Sequence, residues 1–316
     1  MKISFVIPCY RSEHTIEAVV AEIKTTVAQR PEVDYEIILV SDHSPDNVFS
    51  VITRLSKADP GHVKGMELAR NFGQHSALMA GFSLVTGDLV FSLDDDGQAP
   101  VESVYEMVDK LEADGYDVVS GAYPDKKHSV FRNLGSKVND WMAEWLVGKP
   151  RDRKVTSFSV ARRFVIDEMR RYDGPFPYLL GLELQATRKL GNVEVKHRSR
   201  AEGGSGYTLS KLLALWMNGF TAFSVQPLRL ASYAGFVCAG LGFGYGLWTV
   251  VNKLLHPEAP LGYSSLMSAV LFIGGMIMLI LGLIGEYVGR IYICINKAPQ
   301  YVVSKRTENV KEGARS

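Results

Sequence analysis

Cysteine is scarce in this chain. The three present, Cys9, Cys238 and Cys294, lie far apart, which excludes a disulfide framework and any thiolate metal spacing and points to a reducing compartment for the soluble part. Charge imbalance is also missing: 35 Lys and Arg stand against 34 Asp and Glu, a net charge of +1. Nucleic acid is therefore not an expected partner. The opening Met1-Lys2-Ile3-Ser4-Phe5-Val6-Ile7-Pro8 holds too short an apolar run for a signal peptide and is stopped by proline. It reads as a first strand, and the domain it begins is expected on the cytoplasmic side. Internal repeats and low-complexity segments are absent too.

What is there is unevenly spread. Residues 1–210 carry charges throughout, whereas charged side chains are few between residues 230 and 295. In the first part, apolar runs of strand length alternate with helical patterns. Strands are predicted at 3–7, 35–40, 63–68 and 89–93, with helices at 15–29, 47–56, from about 76 to 85, and at 101–113. Ile16, Val19, Val20, Ile23 and Val27 share one face of the first helix. This alternation predicts an α/β fold with a mostly parallel sheet covered on both faces, and ligands bound at the carboxyl ends of its strands. Further on, the pattern gives a strand at 118–120, a helix at 130–146, a strand at 154–160, helices at 164–171 and 179–190, and a strand at 192–197.

Each strand's carboxyl end opens into a polar loop, and the most acidic is Ser92-Leu93-Asp94-Asp95-Asp96-Gly97-Gln98-Ala99-Pro100. Three adjacent carboxylates raise one another's pKa unless a cation or a hydrogen-bonded turn compensates. Asp94 and Asp96, with the carbonyl of Gln98, supply the oxygen ligands that Mg²⁺ or Mn²⁺ prefers and leave positions open for substrate phosphates. A solvated acidic turn is the alternative these residues leave open. His43 and His75 have no partner at ligand spacing and read as loop hydrogen-bonders.

Beyond residue 207 the character changes. Leu209, Leu212, Leu213, Trp216 and Phe220 lie at helical spacing, an amphipathic segment over 208–229 suited either to a membrane interface or to packing on the domain. The apolar segments 230–251 and 265–284 each have the length needed to cross a bilayer. Two transmembrane helices, about 230–251 and 265–287, are expected, and the short connection makes them a hairpin. Lys211 and Arg229 precede the pair and Arg290, Lys297, Lys305 and Arg306 follow it, while the connecting loop has only Lys253. That asymmetry places both termini in the cytoplasm of a multi-pass inner-membrane protein. Residues 296–316 form a tail whose last dozen residues are expected to lack order.

Pro8-Cys9-Tyr10-Arg11-Ser12-Glu13, Asp42 with Asp46, Arg70-Asn71-Phe72-Gly73, the acidic turn with Glu102, and Arg200-Ala201-Glu202-Gly203-Gly204-Ser205-Gly206-Tyr207 together resemble the polyprenyl-phosphate glycosyltransferases of glycosyltransferase family 2. Gly285-Glu286-Tyr287-Val288-Gly289-Arg290-Ile291-Tyr292 is similar to the exit from the second span in its bacterial branch. The resemblance implies a GT-A, Rossmann-like catalytic domain over 1–207, followed by the juxtamembrane segment and the hairpin. It implies an inverting transfer from a nucleotide-sugar donor to a polyprenyl phosphate such as undecaprenyl phosphate, with a divalent cation. Pro8, Tyr10, Glu13, Asp42 and Asp95 would line the nucleotide pocket; Asp94, Asp96 and Gln98 would hold the metal. Arg132, Ser136 and Arg200 match residues near the acceptor phosphate. Ser41 stands where an acid is common and Arg11 where asparagine is common, and Thr156-Ser157-Phe158-Ser159-Val160 lacks the usual Asp-Phe-Arg, so donor preference is not fixed; a UDP-sugar is favoured. Glycine-rich spans make a homo-oligomer plausible. A processive polysaccharide synthase, suggested by Gln185-Ala186-Thr187-Arg188-Lys189, and a non-catalytic membrane-anchored nucleotide-binding subunit are the competing readings.

Overall fold

The apolar run that opens the chain becomes β1 (Lys2–Cys9), buried on both faces beyond its first residue. A computed structural model describes residues 1–123, 150, 153–154, 156–196, 226–255 and 263–310. Strand β2 (Asp34–Ser41), β3 (Val63–Leu68) and β4 (Leu89–Ser92) complete a parallel group in which β1 lies between β2 and β4, and β3 lies outside β2. Helices α1 (Ile16–Val27), α2 (Val48–Ala58), α3 (Gln74–Phe82) and α4 (Val104–Ala113) fill the crossovers.

Alternation along the strands sorts their side chains onto the two faces. Ile3, Phe5 and Ile7 join Ile37 and Leu39 beneath the apolar face of α1, in a core that also takes Phe91 and Phe158. Val6, Ile38 and Val40 face the other way, against Gly81 of α3.

With β5 (Val118–Ala122), β6 (Ser159–Arg162), β7 (Leu190–Glu194) and β8 (Val303–Arg306), the sheet order is β7-β5-β6-β4-β1-β2-β3-β8. The sheet is mixed. β6 runs antiparallel to β4 and β5, and β8 antiparallel to β3, while β5 and β7 pair in parallel. β6 starts later than the predicted strand at 154–160. Lys154 donates its amide to Asn192 and Thr156 its hydroxyl to the Gly121 carbonyl, loop contacts that take these residues out of the ladder. Helix α5 (Arg163–Arg170) follows at once. Helix α6 (Leu179–Ala186) stops short of the predicted residue 190, because Thr187 is extended and its hydroxyl is bonded to Asp117.

The tail corrects an expectation. Residues 305–310 are ordered along the sheet, since the free edge of β3 is a template for one more strand. Thr307 Oγ1 accepts from Gly65 N at 3.0 Å, and Asn309 Nδ2 donates to Pro60 O at 3.0 Å and Val63 O at 2.7 Å. Residues 297–316 group with 1–208.

Residues 209–296 form a second unit. Its helices, α7 (Gln226–Leu255) and α8 (Tyr263–Ile295), extend past both ends of the predicted spans. Phe236, Leu241, Phe243, Phe272 and Met278 are exposed. Among the described residues one stretch, Phe272–Ile295, is long and apolar enough to cross a membrane. Within it Arg290 is paired with Glu286 at 3.0 Å. The predicted helix at 130–146 and residues 208–225 of the amphipathic segment lie outside the described residues.

Candidate active site

The loops that follow β1 to β4 are tied together by hydrogen bonds from backbone amides and hydroxyls to carboxylates. Tyr10 N donates to Asp95 Oδ2 at 2.9 Å, and Thr15 Oγ1 to the Asp95 carbonyl at 2.7 Å. Asp95 thus clamps the first loop onto the acidic turn. Burial, with the charge of Asp94 added, pushes the Asp95 carboxyl up to about 6.

Glu13 and Asp46 join the first and second loops reciprocally. Glu13 N donates to Asp46 Oδ2 at 2.9 Å, and Asn47 N to Glu13 Oε2 at 3.0 Å. Ser44 Oγ accepts from Arg11 N at 2.7 Å and donates to Asp46 Oδ1 at 2.6 Å. These bonds hold Arg11 (φ 59°) and His43 (φ 50°) in the left-handed region, a strain of about 1 kcal/mol each for residues with a side chain. Tyr10 is 45% exposed, with the Arg11 guanidinium 5.6 Å from its ring centre.

Asp42, at the end of β2, reaches the third loop. Its Oδ1 accepts from Phe72 N at 2.7 Å and its Oδ2 from Gly73 N at 2.8 Å. Gly73 adopts φ +89°, which suits glycine and aims successive amides at one carboxylate. Burial raises the Asp42 pKa against these two bonds. The next residue, Gln74, opens α3 and donates Nε2 to Asp94 Oδ1 at 2.8 Å, while Ser157 Oγ donates to Asp94 Oδ2. Asp96 Oδ1 accepts from Gln98 N at 3.1 Å across Gly97 (φ +71°), a side-chain-closed turn. Tyr123, after β5, has its pKa raised by burial and then by the charges of Asp94 and Asp96.

The structure therefore brings Asp94, Asp95, Asp96 and Gln98 into one turn, with Tyr10, Glu13 and Asp42 in the adjoining loops. Pro8 is buried within β1, in register with Val40. Ser41 is fully buried and its hydroxyl has no hydrogen-bond partner among the described residues, so it does not open into the site. Arg132, Ser136 and Arg200 lie outside the described residues. His75 is a loop hydrogen-bonder: its Nδ1 accepts from Leu179 N at 3.3 Å and its ring stacks on Tyr178. Gln74, Ser157 and Tyr123 were missed by sequence reasoning. Gln74 left a trace there as the residue after a loop glycine at the head of a helix, and Ser157 as part of the segment that departs from the family's Asp-Phe-Arg.

A divalent cation suits this turn by donor chemistry. The described residues include no group of three or more His, Cys, Asp or Glu side chains placed to hold an ion. Asp94, Asp96 and the Gln98 carbonyl would accordingly leave most of a coordination shell to water and a diphosphate, as hard cations in such sites require. Gln74 and Ser157 are neutral donors, so they orient Asp94 without cancelling its charge.

A mixed sheet whose carboxyl-end loops converge on an acidic turn defines a glycosyltransferase of the GT-A class, an architecture that commonly works with a divalent metal. The chain belongs to glycosyl transferase family 2, whose sequence pattern matches residues 4–166; that of the GtrB C-terminal hairpin matches residues 226–291. It is 35% identical over 306 residues to an undecaprenyl-phosphate 4-deoxy-4-formamido-L-arabinose transferase of Klebsiella pneumoniae (strain 342), covering 96% of this chain and 93% of the relative. The same-named protein of Yersinia pestis (strain Pestoides F) is 34% identical, with 98% and 96% covered. Among solved structures, mannosyl-3-phosphoglycerate synthase from Rubrobacter xylanophilus shares the fold, with a TM-score of 0.50 at 16% identity over 69% of this chain and 71% of that one.

Proposed function

We propose that the chain transfers a single sugar, with inversion, from a nucleotide-sugar to undecaprenyl phosphate or a related polyprenyl phosphate at the cytoplasmic face of a membrane. The observation that carries this reading is the acidic turn after β4, held in place by neutral donors and flanked by three interlocked loops. The acceptor class follows the names of the relatives. A UDP-sugar is the favoured donor.

In this reading Asp94, Asp96 and the Gln98 carbonyl would hold Mg²⁺ or Mn²⁺, which would supply electrostatic stabilisation of the leaving nucleoside diphosphate. Tyr10 and the loops fixed by Glu13, Asp42 and Asp95 frame the nucleotide. Arg132, Ser136 and Arg200 are assigned to the acceptor phosphate, where guanidinium forks position an anion. That phosphate is already a nucleophile and needs little or no general base. Residues 1–207 are assigned catalysis, 208–229 the membrane surface and 230–295 a two-helix hairpin with both termini cytoplasmic; the exposed apolar side chains of α7 and α8 support contact with lipid. A homo-oligomer is the assigned state.

The processive alternative is disfavoured by position. Gln185 to Lys189 leads into the start of β7, at the end of the sheet opposite the acidic turn. The test is a panel of UDP- and GDP-sugars offered to the purified full chain with undecaprenyl phosphate, with Mn²⁺ or with EDTA, and glycolipid read by thin-layer chromatography. One UDP-sugar should yield a monosaccharide-linked lipid, lost in EDTA. Longer products would support a synthase, and nucleotide binding without turnover would support a non-catalytic subunit.

A further inference from the structure

The ordered tail touches more than the sheet edge. Gln300 is 9% exposed, and its Nε2 donates to Tyr172 O at 3.2 Å and to Gly174 O at 3.1 Å. Two residues later, Val302 O accepts from Ala69 N at 2.8 Å. Because β8 runs antiparallel to β3 from Val303 onward, residues 300–302 sit at the carboxyl end of the sheet, where the site loops are. One short segment thus grips two separate loops.

Both loops lead to the first turn of α3. From Ala69 the chain passes through Phe72 and Gly73, held by Asp42, to Gln74, which holds Asp94. From Gly174 it passes to Tyr178, stacked on His75 with ring centres 5.8 Å apart, and to Leu179, whose amide is bonded to His75. Tyr172 OH reaches forward to Phe176 O at 3.2 Å and stiffens that second route. Anchoring the tail does not require Gln300, since the β8 ladder, Thr307 and Asn309 already do so on β3. The bonds of Gln300 go instead to a loop outside the sheet.

We propose that Gln300 is a positioning residue for sugar transfer, joining the Ala69 loop to the 172–178 loop so that Gln74 and His75 keep Asp94 in register. The inference rests on the assignment of Asp94 to the donor site. A side chain with two amide hydrogens satisfies both carbonyls at once, and neither leucine nor glutamate does.

Full-length Gln300→Leu and Gln300→Glu proteins test it, with amide hydrogen exchange, donor binding by calorimetry and steady-state transfer as readouts. Exchange at Leu179 and Gly73 should quicken about fivefold or more, the scale of one lost hydrogen bond, while the amides of Arg306 and Thr307 stay protected. The kcat should fall about tenfold, as for a small misplacement of reacting groups, with donor affinity within about twofold; Gln300→Glu should be the worse variant because its carboxylate faces two carbonyl oxygens. Unchanged exchange at Leu179 with unchanged kcat would overturn the proposal. So would a general loss of protection that includes Thr307, which would make Gln300 a tail anchor only. Absence of transfer by the unaltered protein would count against the proposed reaction instead, and the exchange data would still decide the role of Gln300.

Discussion

The two ends of the sheet treat their acidic residues differently. At the amino end, carboxylates meet cations: Glu36 is paired with Lys64 at 2.7 Å, Asp59 with Lys24 at 2.6 Å, and Asp34 with Lys2 at 3.4 Å. At the carboxyl end, Asp42, Asp46, Asp94, Asp95 and Asp96 take hydrogen bonds from backbone amides, hydroxyls and a glutamine. The bonds named at the amino end bring cations to the carboxylates, whereas those named at the carboxyl end come from neutral groups that orient them. An oriented carboxylate near others of its sign is poorly placed for stability and well placed to receive a cation or a donor molecule. The same residue type therefore does structural work at one end and, in the proposed reaction, is held for chemistry at the other.

The strongest challenge to this contrast is Asp96→Asn. The substitution keeps the volume and the turn but removes a charge assigned to the metal at the donor diphosphate. Transfer should drop at least ~100-fold, the scale of a lost transition-state electrostatic contact, with the melting temperature nearly unchanged. Full turnover by this variant would place the chemistry elsewhere.

Glu36→Gln probes the other end. Glu36 is 1% exposed and accepts from Ser4 Oγ, Thr86 N and Thr86 Oγ1 besides Lys64. Burial alone would raise its pKa, but Lys64, Ser4 and Thr86 hold it below the ordinary value. Its contribution is thus present above the ordinary carboxylate range and lost as pH falls through the depressed native value. The variant should cost about 2 kcal/mol near neutrality, flatten the acid limb of the stability profile, and leave kcat and donor KM per folded molecule unaltered. A kinetic defect without a stability defect would erase the distinction between the ends.

Much of this arrangement is visible in the sequence, and what is hidden is hidden for physical reasons. The first four strands announce themselves because a doubly covered parallel strand must be apolar throughout, as Ile37 to Val40 are. β6 shows only as a strand placed too early and β8 not at all: Ser-Val-Ala-Arg and Val-Ser-Lys-Arg carry little apolar pattern, and β8, at the sheet edge, is held by backbone pairing. Asp94 to Asp96 stand out as a run of charge. That Asp95, Asp42 and Glu13 spend their oxygens on Tyr10, Phe72, Gly73 and Asn47 amides is illegible, because a backbone donor has no residue type.

A finer test lies in two titratable side chains, His75 on α3 and Glu183 on α6, whose pKa values are shifted first by burial and not by a charged neighbour among the described residues. His75 is partly buried, and that burial lowers its pKa, so it favours the neutral ring that accepts from Leu179. Stability from that preference is present above the ordinary histidine value and is lost as pH falls below it toward the native pKa. For Glu183 on α6, burial pushes the carboxyl up to about 7. Its contribution has the opposite sign: present below the ordinary carboxylate value, and lost as pH rises through about 7. Were the two a charged pair, as at the amino end, the histidine pKa would be raised and the carboxylate pKa lowered, reversing both trends. Thermal midpoints of the unaltered chain, His75→Asn and Glu183→Gln between pH 5 and pH 8 separate these cases, since Asn retains an acceptor for Leu179 and Gln removes only the charge. Glu183→Gln should stabilise by about 1 kcal/mol at pH 8, after allowance for partial solvent screening, with the gain shrinking toward pH 5. His75→Asn should lose less stability than the unaltered chain between pH 7 and pH 5. Destabilisation by Glu183→Gln at pH 8 would mean that an ion pair sits beside α3, and the contrast between the two ends of the sheet would not extend that far.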